Sequence, residues 1–390
     1  GIPSAVRLVY MEDGKGEVRK DMPYIFDVGD HCIYSVNVKM PEKAGLVWYY
    51  FELETERGMV YYGNNSKQLG GIGEMCFNSP SNSYQITVYN EDYKTPDWFK
   101  TGIAYQIFVD RFCNGNENGE FLGNRTDIIK RNWGEQPFYK AEQFGGEYKA
   151  NDFFGGNLKG VIKKLPYLKD LGISVIYLNP IFKAYSNHKY DTGDYETIDP
   201  MFGDEETFKE LCSKAKEMGI RIILDGVFNH TGSNSRYFNK YGEYDSIGAY
   251  QSKESPYYTW FRFMDWPDVY ESWWGMTTLP QIEEHSEECR KYLLSDKDAI
   301  VKRWIKNGAS GWRLDVVDEL PGFFVKELRE NVKKADKDAV IIGEVWEDAT
   351  NKISYNTRRR YFLGEQLDSV MNYPWKNAII NFVKNKDADT

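Results

Sequence analysis

Long apolar runs are missing from this sequence. No stretch approaches the roughly 20 residues of a membrane-spanning helix, so a membrane is not expected as a partner. Positive charge is in deficit, with 49 Lys and Arg against 59 Asp and Glu and a formal net charge of −10. That balance argues against nucleic acid and anionic lipid surfaces and fits a neutral substrate better. Close cysteine pairs are missing too. Cys32, Cys76, Cys113, Cys212 and Cys289 are odd in number and scattered, which points to buried thiols rather than a disulfide frame or a metal site. Neither an internal repeat nor a low-complexity tract is present. No signal peptide is visible, and a chain beginning at Gly1 reads as a processed or engineered product, so cytoplasmic and secreted locations both stay open.

What is present is material for a core. Of 390 residues, 41% are hydrophobic and 28% charged, the composition of a globular protein of two or three domains. Eleven Trp, 29 Tyr and 22 Phe suit stacking on flat apolar faces such as sugar rings, and equally suit plain core packing. Residues 1–95 alternate with period two in HCIYSVNVKM, AGLVWYYFELET, MVYYGNN and SYQITVYN, divided by Gly, Asn, Pro and Ser. Short strands at that spacing predict a small, immunoglobulin-like β-sandwich. It is either a glycan-binding module, through Trp48, Tyr49 or Tyr61, or a packing partner for the next domain.

The polar stretch YNEDYKTPDWFK marks a boundary, and residues 96–390 change to strand, loop, helix. Strands are expected at 104–109, 174–178, 221–224, 312–315, 339–344 and 367–371, and helices at 158–171, 205–218, 299–306, 323–332 and 375–383. Six alternations predict the first six units of a (β/α)8 TIM-type barrel, incomplete in this chain. Residues 113–152 form a polar insertion, and 231–285, rich in Tyr, Trp and Gly, an inserted loop-rich subdomain; loops this long are usually functional.

The barrel's chemistry is expected at the carboxyl ends of its strands. Asp315 ends one strand and Glu344 the next, with a helix between them on which Phe324, Val325, Leu328 and Val332 follow helical spacing. Two carboxyls at one pocket are the minimum equipment for cleaving a glycosidic bond. The residues alone also permit a capping role for Asp315 and a solvated strand end for Glu344. A third strand ends LDGVFNH, placing Asp225, Asn229 and His230 at the same face, and one pocket explains all three ends more economically.

The segments DGVFNH, GWRLDVVDE and GEVWED resemble the first three signature regions of the alpha-amylase family, glycoside hydrolase family 13. TPDWFKTGIAYQIFVDRF and SNHKYDTGDY resemble its neopullulanase, cyclomaltodextrinase and maltogenic-amylase branch. The resemblance runs from about residue 95 to the end, and the N-terminal sandwich suits that branch. It implies that Asp315 is the nucleophile of a retaining mechanism and Glu344 its general acid, then base. For Glu344 to hold a proton near neutrality it has to be buried or to feel the negative Asp315. Arg313, two residues before Asp315 on the same strand face, is expected to keep that carboxylate ionised and oriented, or to form a structural ion pair with Asp194. Tyr190, His188 and His230 would line the subsite of the cleaved sugar, and Asp225 would support them. Trp273, Trp274, Trp346, Asp318 and Glu347 are weaker subsite candidates.

A calcium loop is also implied by DRFCNGNENGE and FFGGNL, with Asn114, Asn116, Glu120, Gly155 and Asn157 as ligands. Calcium prefers six to eight oxygens including carboxylates. Here Asn116 and Asn157 replace acids, so the alternative is a turn satisfied by its own amides. The family's fourth region, a His-Asp pair supplying a third carboxylate, has no counterpart in the sequence. An open barrel edge and little or no activity are therefore expected of these 390 residues alone, as is a further portion of the same enzyme or a homodimer as partner. The substrate class implied is an α-1,4-glucan: maltodextrin, cyclodextrin, pullulan or starch. Transglycosylation on the same intermediate and a non-catalytic glycan-binding fragment are the alternatives.

Overall fold

Four short runs, VIYL, RIILDG, GWRL and VIIG, are apolar but for Tyr177, Arg221, Asp225 and Arg313, and nearly every residue in them is buried. Strands covered on both faces read this way, because a parallel sheet is flanked by its own crossover helices. The computed structural model describes residues 2–385 apart from Leu69, Ser79 and Ser81. Its chain divides into two compact units. The first runs to Lys94 and takes in Thr350–Ile353 and Arg358–Glu365, and the second holds the rest.

In the first unit, β1 (Ala5–Glu12), β2 (Val18–Asp21), β5 (Gly45–Thr55), β6 (Gly58–Gly63), β7 (Glu74–Cys76) and β8 (Tyr84–Val88) form one antiparallel sheet, while β3 (Tyr24–Val28) and β4 (His31–Tyr34) make a separate hairpin. The long β5 is its spine, pairing with β1 along one edge and with β6 and β8 along the other. The expected strand over HCIYSVNVKM is paired only at His31–Tyr34. β1, whose AVRLVYME alternates only loosely in burial, is an addition to the elements expected. Residues 350–365, expected in the barrel, supply most of their positions to this unit. Asn351 Nδ2 donates to Gln85 Oε1 at 2.7 Å, Asn90 N to Leu363 O at 3.0 Å, and Arg358 pairs with Asp13 at 3.2 Å.

The second unit is built on six parallel strands: β9 (Ala104–Ile107), β10 (Val175–Leu178), β11 (Arg221–Gly226), β12 (Gly311–Leu314), β13 (Val340–Gly343) and β14 (Ser369–Val370). They lie side by side in chain order. This is an incomplete TIM-type barrel. Helices α1 (Leu158–Asp170), α2 (Glu205–Glu217), α3 (Ile300–Lys306), α4 (Gly322–Ala335) and α5 (Tyr373–Lys384) follow β9, β10, β11, β12 and β14, and no α-helix separates β13 from β14 among the described residues. The first two start on side-chain caps: Asn157 accepts from Gly160 N at 2.9 Å and Asp204 from Thr207 N at 2.8 Å, each satisfying an orphan N–H of the first turn. On α4 the buried face is Phe324, Val325, Leu328 and Val332, at the steps of one, three and four that a helix needs to keep one side inward. No helix among the described residues is long and apolar enough to cross a membrane. A short helix at Glu287–Arg290, continued by a turn to Ser295, follows the irregular segment.

The stripe on α4 yields a paired test. Phe324 is fully buried while its neighbour Phe323 is 41% exposed. Phe324→Ala is expected to lower stability by about 3–5 kcal/mol and Phe323→Ala by about 1 kcal/mol or less. Urea unfolding of the two variants checks this, and equal losses would mean the helix is wrongly oriented.

Candidate active site

Parallel pairing sets the register of the polar strand ends. Asp225 on β11 lies opposite Arg313 on β12, and Leu314 opposite Gly343 on β13. Asp315 and Glu344, the next residue on each strand, therefore leave adjacent strands that run about 4.8 Å apart. Gly343, just before Glu344, leaves room for the Leu367 and Val317 side chains, which a Cβ there would approach to 2.5 and 2.9 Å. The three acids converge on one guanidinium. Arg313 Nη1 donates to both oxygens of Asp225 at 2.9 Å and to Asp315 Oδ1 at 2.8 Å, and Nη2 pairs with Glu344 Oε2 at 2.8 Å. Arg313's partner is thus not Asp194, which pairs with Arg236 at 3.3 Å. The register explains this, because only Asp225 sits across the ladder from Arg313.

One cation serves three buried carboxyls, so protons must be rationed. Asp225 accepts from Tyr177 and from Tyr190 (3.1 Å) besides Arg313, which leaves its oxygens occupied by donors. It reads as a carboxylate even though burial pushes its pKa up. Arg313 is then neutralised chiefly by Asp225, to which Nη1 donates at 2.9 Å on both oxygens. Burial first, then the charge of Asp225, pushes Asp315 up to about 8, against the opposing pull of Arg313. This corrects the expectation that Arg313 keeps Asp315 ionised: desolvation outweighs one guanidinium that is shared three ways.

The acids open into a cleft of about 910 Å³ whose wall includes Tyr190, His188, His230, Arg313, Asp315 and Glu344. Asp225 and Asn229, expected to bind substrate, are buried behind that wall. Asn229 Nδ2 lies 3.2 Å from His230 Nδ1. An amide nitrogen can only donate, so the ring proton sits on Nε2, which is buried and has no partner. Likewise Tyr190 N donates to His188 Nδ1 at 3.1 Å, leaving that proton on Nε2. Burial lowers the pKa of both rings, His230 to about 4, so both are neutral donors at pH 7. Tyr190 places its hydroxyl on Asp225, and His230 stacks on Trp273 at 5.3 Å.

Several contributors are absent from the sequence-derived candidates. Tyr177, the one polar break in VIYL, holds Asp225 from behind. Val316, in the left-handed region at φ 38°, turns its N–H onto Glu344 Oε2 at 2.9 Å. Tyr373 meets the other oxygen of that acid, Oε1, at 3.4 Å, where Trp346, already a subsite candidate from the sequence, joins it at 3.2 Å. The aromatic pair after β14, in MNYPW, was the available signal for Tyr373.

The loop expected to bind calcium closes on its own amides. Asn114 Oδ1 accepts from Asn116 N at 2.8 Å and Asn157 Nδ2 at 3.0 Å, while Asn157 Oδ1 takes Gly115 N at 3.1 Å and caps α1. The carbonyls of Gly119 and Glu120, oxygens that a cation would use, receive Asn114 and Asn116 Nδ2 at 2.7–3.1 Å. Gly155 O receives Asn157 Nδ2 at 3.5 Å. As arranged, this donor set does not fit calcium, and among the described residues no cluster of three or more His, Cys, Asp or Glu is placed to hold a metal.

A profile of the alpha-amylase catalytic domain matches residues 106–390. The amylopullulanase of Thermoanaerobacterium saccharolyticum is 41% identical over 371 residues, which are 88% of this chain and 28% of that protein. The cyclomaltodextrinase of Thermoanaerobacter pseudethanolicus is 41% identical over 298 residues, 74% of this chain and 45% of that protein. Among solved structures, the type III pullulan hydrolase from Thermococcus kodakarensis is similar with a TM-score of 0.64 at 30% identity, covering 98% of this chain and 62% of that one. The chain thus spans less than half the length of either relative.

Two outcomes test this site. Asp315's value of about 8 lies above that of an unfolded aspartate, about 3.9, so folding favours its protonated form. That stability is full below about pH 4 and is lost as pH rises through the folded value. Asp315→Asn is therefore expected to melt above the wild type at pH 8, by about 2–4 °C per kcal/mol relieved, with the gap closing towards pH 4; no gap at pH 8 would mean that the carboxyl ionises freely. For the amide-closed loop, EDTA and added CaCl2 are expected to leave the melting temperature unchanged. A rise of several degrees with calcium would restore the metal site.

Proposed function

The chain belongs to the alpha-amylase family, and on that premise we propose that it carries the nucleophile and general acid of a retaining α-glucan hydrolase. Its substrates would be the α-1,4 links of maltodextrin, cyclodextrin, pullulan or starch. The observation that carries this reading is the single guanidinium spanning Asp315 and Glu344 at 2.8 Å each, at the base of the cleft. Carboxyls held on neighbouring nitrogens at adjacent strand ends suit the separation of about 5–5.5 Å needed for double displacement, where an inverting pair would leave room for water.

In the first step an Asp315 oxygen bonds to the anomeric carbon as the carbon–oxygen bond to the leaving sugar breaks, and Glu344 gives its proton to the departing oxygen. Asp315 attacks as the carboxylate, so the proton that leaves with the departing sugar has to reside on Glu344 when substrate is bound. In the second step water attacks the same carbon, its proton passes to Glu344, and the ester to Asp315 breaks. Configuration is retained. Neutral His188 and His230 would donate Nε2–H to hydroxyls of the cleaved sugar, and Tyr190 would offer its ring face. Asp225, buried with Arg313, would hold the guanidinium in place.

α-Maltotriosyl fluoride separates the roles, because fluoride leaves without a proton. Glu344→Gln is expected to hydrolyse the fluoride while losing about 10²–10⁴-fold on maltodextrin, and Asp315→Asn to lose both. The first product anomer seen by proton NMR should be α. A β first product, or maltodextrin cleavage by Asp315→Asn, would overturn the proposal.

A further inference from the structure

The two oxygens of Glu344 are not equivalent. Oε2 accepts from Arg313 Nη2 at 2.8 Å and from Val316 N at 2.9 Å. An oxygen already taking a guanidinium and a backbone N–H has no room for a proton, so the acidic proton belongs on Oε1. That oxygen meets two groups of different kinds. Tyr373 Oη, 3.4 Å away, can donate to a carboxylate or accept from a carboxylic acid. Trp346 Nε1, at 3.2 Å, can only donate. A donor aimed at Oε1 stabilises the carboxylate and opposes the acid.

We propose that Trp346 is a substrate-displaced lock on the general acid: its indole holds Glu344 as a carboxylate in the free protein and releases Oε1 to take the proton when sugar enters the cleft. The inference rests on the hydrolase reading above and deepens it. Trp346 lies on the cleft wall and is 47% exposed, so an arriving ring meets it directly. The surface behind it is held more firmly. Trp274, at φ 50° and ψ 32°, stacks on Trp273 at 5.4 Å, donates Nε1 to Glu319 Oε1 at 3.1 Å, and meets Trp346 edge-on at 6.0 Å. Glu319 is held in turn by the Tyr355 hydroxyl. Among the described residues, Trp346 touches this aromatic corner through one edge-on contact only, so it can leave Oε1 without breaking the Trp273–Trp274 stack. When it moves, the proton on Asp315 goes to Oε1, where Tyr373 reverses its role and accepts, and Asp315 is left ionised for attack. The charged and titratable groups facing Glu344 are Arg313 and Asp315 from β12 and its end, Tyr373 from α5, and Asp225 beyond Arg313.

Trp346→Phe removes the N–H and keeps an aromatic ring. The basic limb of kcat/KM reports the free enzyme, and that of kcat the substrate complex. With the lock gone, the kcat/KM limb is expected to move to higher pH by about 0.5–1 unit, as fits the loss of one hydrogen bond to a charged group, while the kcat limb stays. A hydrogen bond kept throughout turnover would move both limbs, and a packing role would move neither; either result overturns the lock. A second measurement needs no turnover. In protein labelled with 5-fluorotryptophan, the Trp346 fluorine signal should shift in Glu344→Gln and on saturation with maltotriose. A signal unmoved by both overturns the lock, whereas failure to bind maltotriose at all counts against the glucan reading itself.

Discussion

Arg313 is the constraint on which the rest of the site depends. A guanidinium offers its donors in one plane at fixed angles, and three carboxyls from three neighbouring strands use them at 2.8–2.9 Å. Each strand must therefore stop at the right residue. Sliding β12 by one position would turn Arg313 away from Asp225 and reverse the faces of the strand. The apolar strands and the helices packed on them do not merely support this arrangement; their register determines which acid meets which nitrogen. Removing the cation would leave several buried negative charges uncompensated, the costly case for a buried ion pair.

Charge and neutrality are distributed around that hub by burial. The acids crowd the cation, while the two histidines of the cleft wall are kept neutral by desolvation and are oriented by Asn229 and by the backbone of Tyr190. A wall of neutral donors and aromatic faces suits an uncharged, hydroxyl-rich ligand, in keeping with the acidic balance of the whole chain. His230 Nε2, a buried donor with no hydrogen bond among the described residues, lies on the cleft wall where such a ligand would satisfy it.

Much of this was legible in sequence, for reasons that differ by element. Phe324, Val325, Leu328 and Val332 announce their helix because packing on one side demands that spacing. Asp315 and Glu344 stand out because an acid ending an apolar strand has few structural uses. The antiparallel β1 was not legible, since its burial alternates only loosely. Arg313's true partner depends on strand register, which one strand's sequence does not contain. The raised pKa of Asp315 comes from burial summed over three strands and a neighbouring charge, a property of the assembled site. The amides closing the 113–120 loop were visible as residues, but whether they would hold a cation or each other depended on which way each side chain turned.

Val316 follows Asp315 and is a β-branched residue in left-handed backbone, a conformation that costs roughly 1–3 kcal/mol. Its N–H donates to Glu344 Oε2 at 2.9 Å, beside the Arg313 guanidinium. Two chains with identical acids at these strand ends can thus differ in how the turn after Asp315 meets Glu344. Descent with relaxation of this turn would leave every signature residue readable and Glu344 short of one of its donors. Motif identity, in such a lineage, would outlast the chemistry it marks.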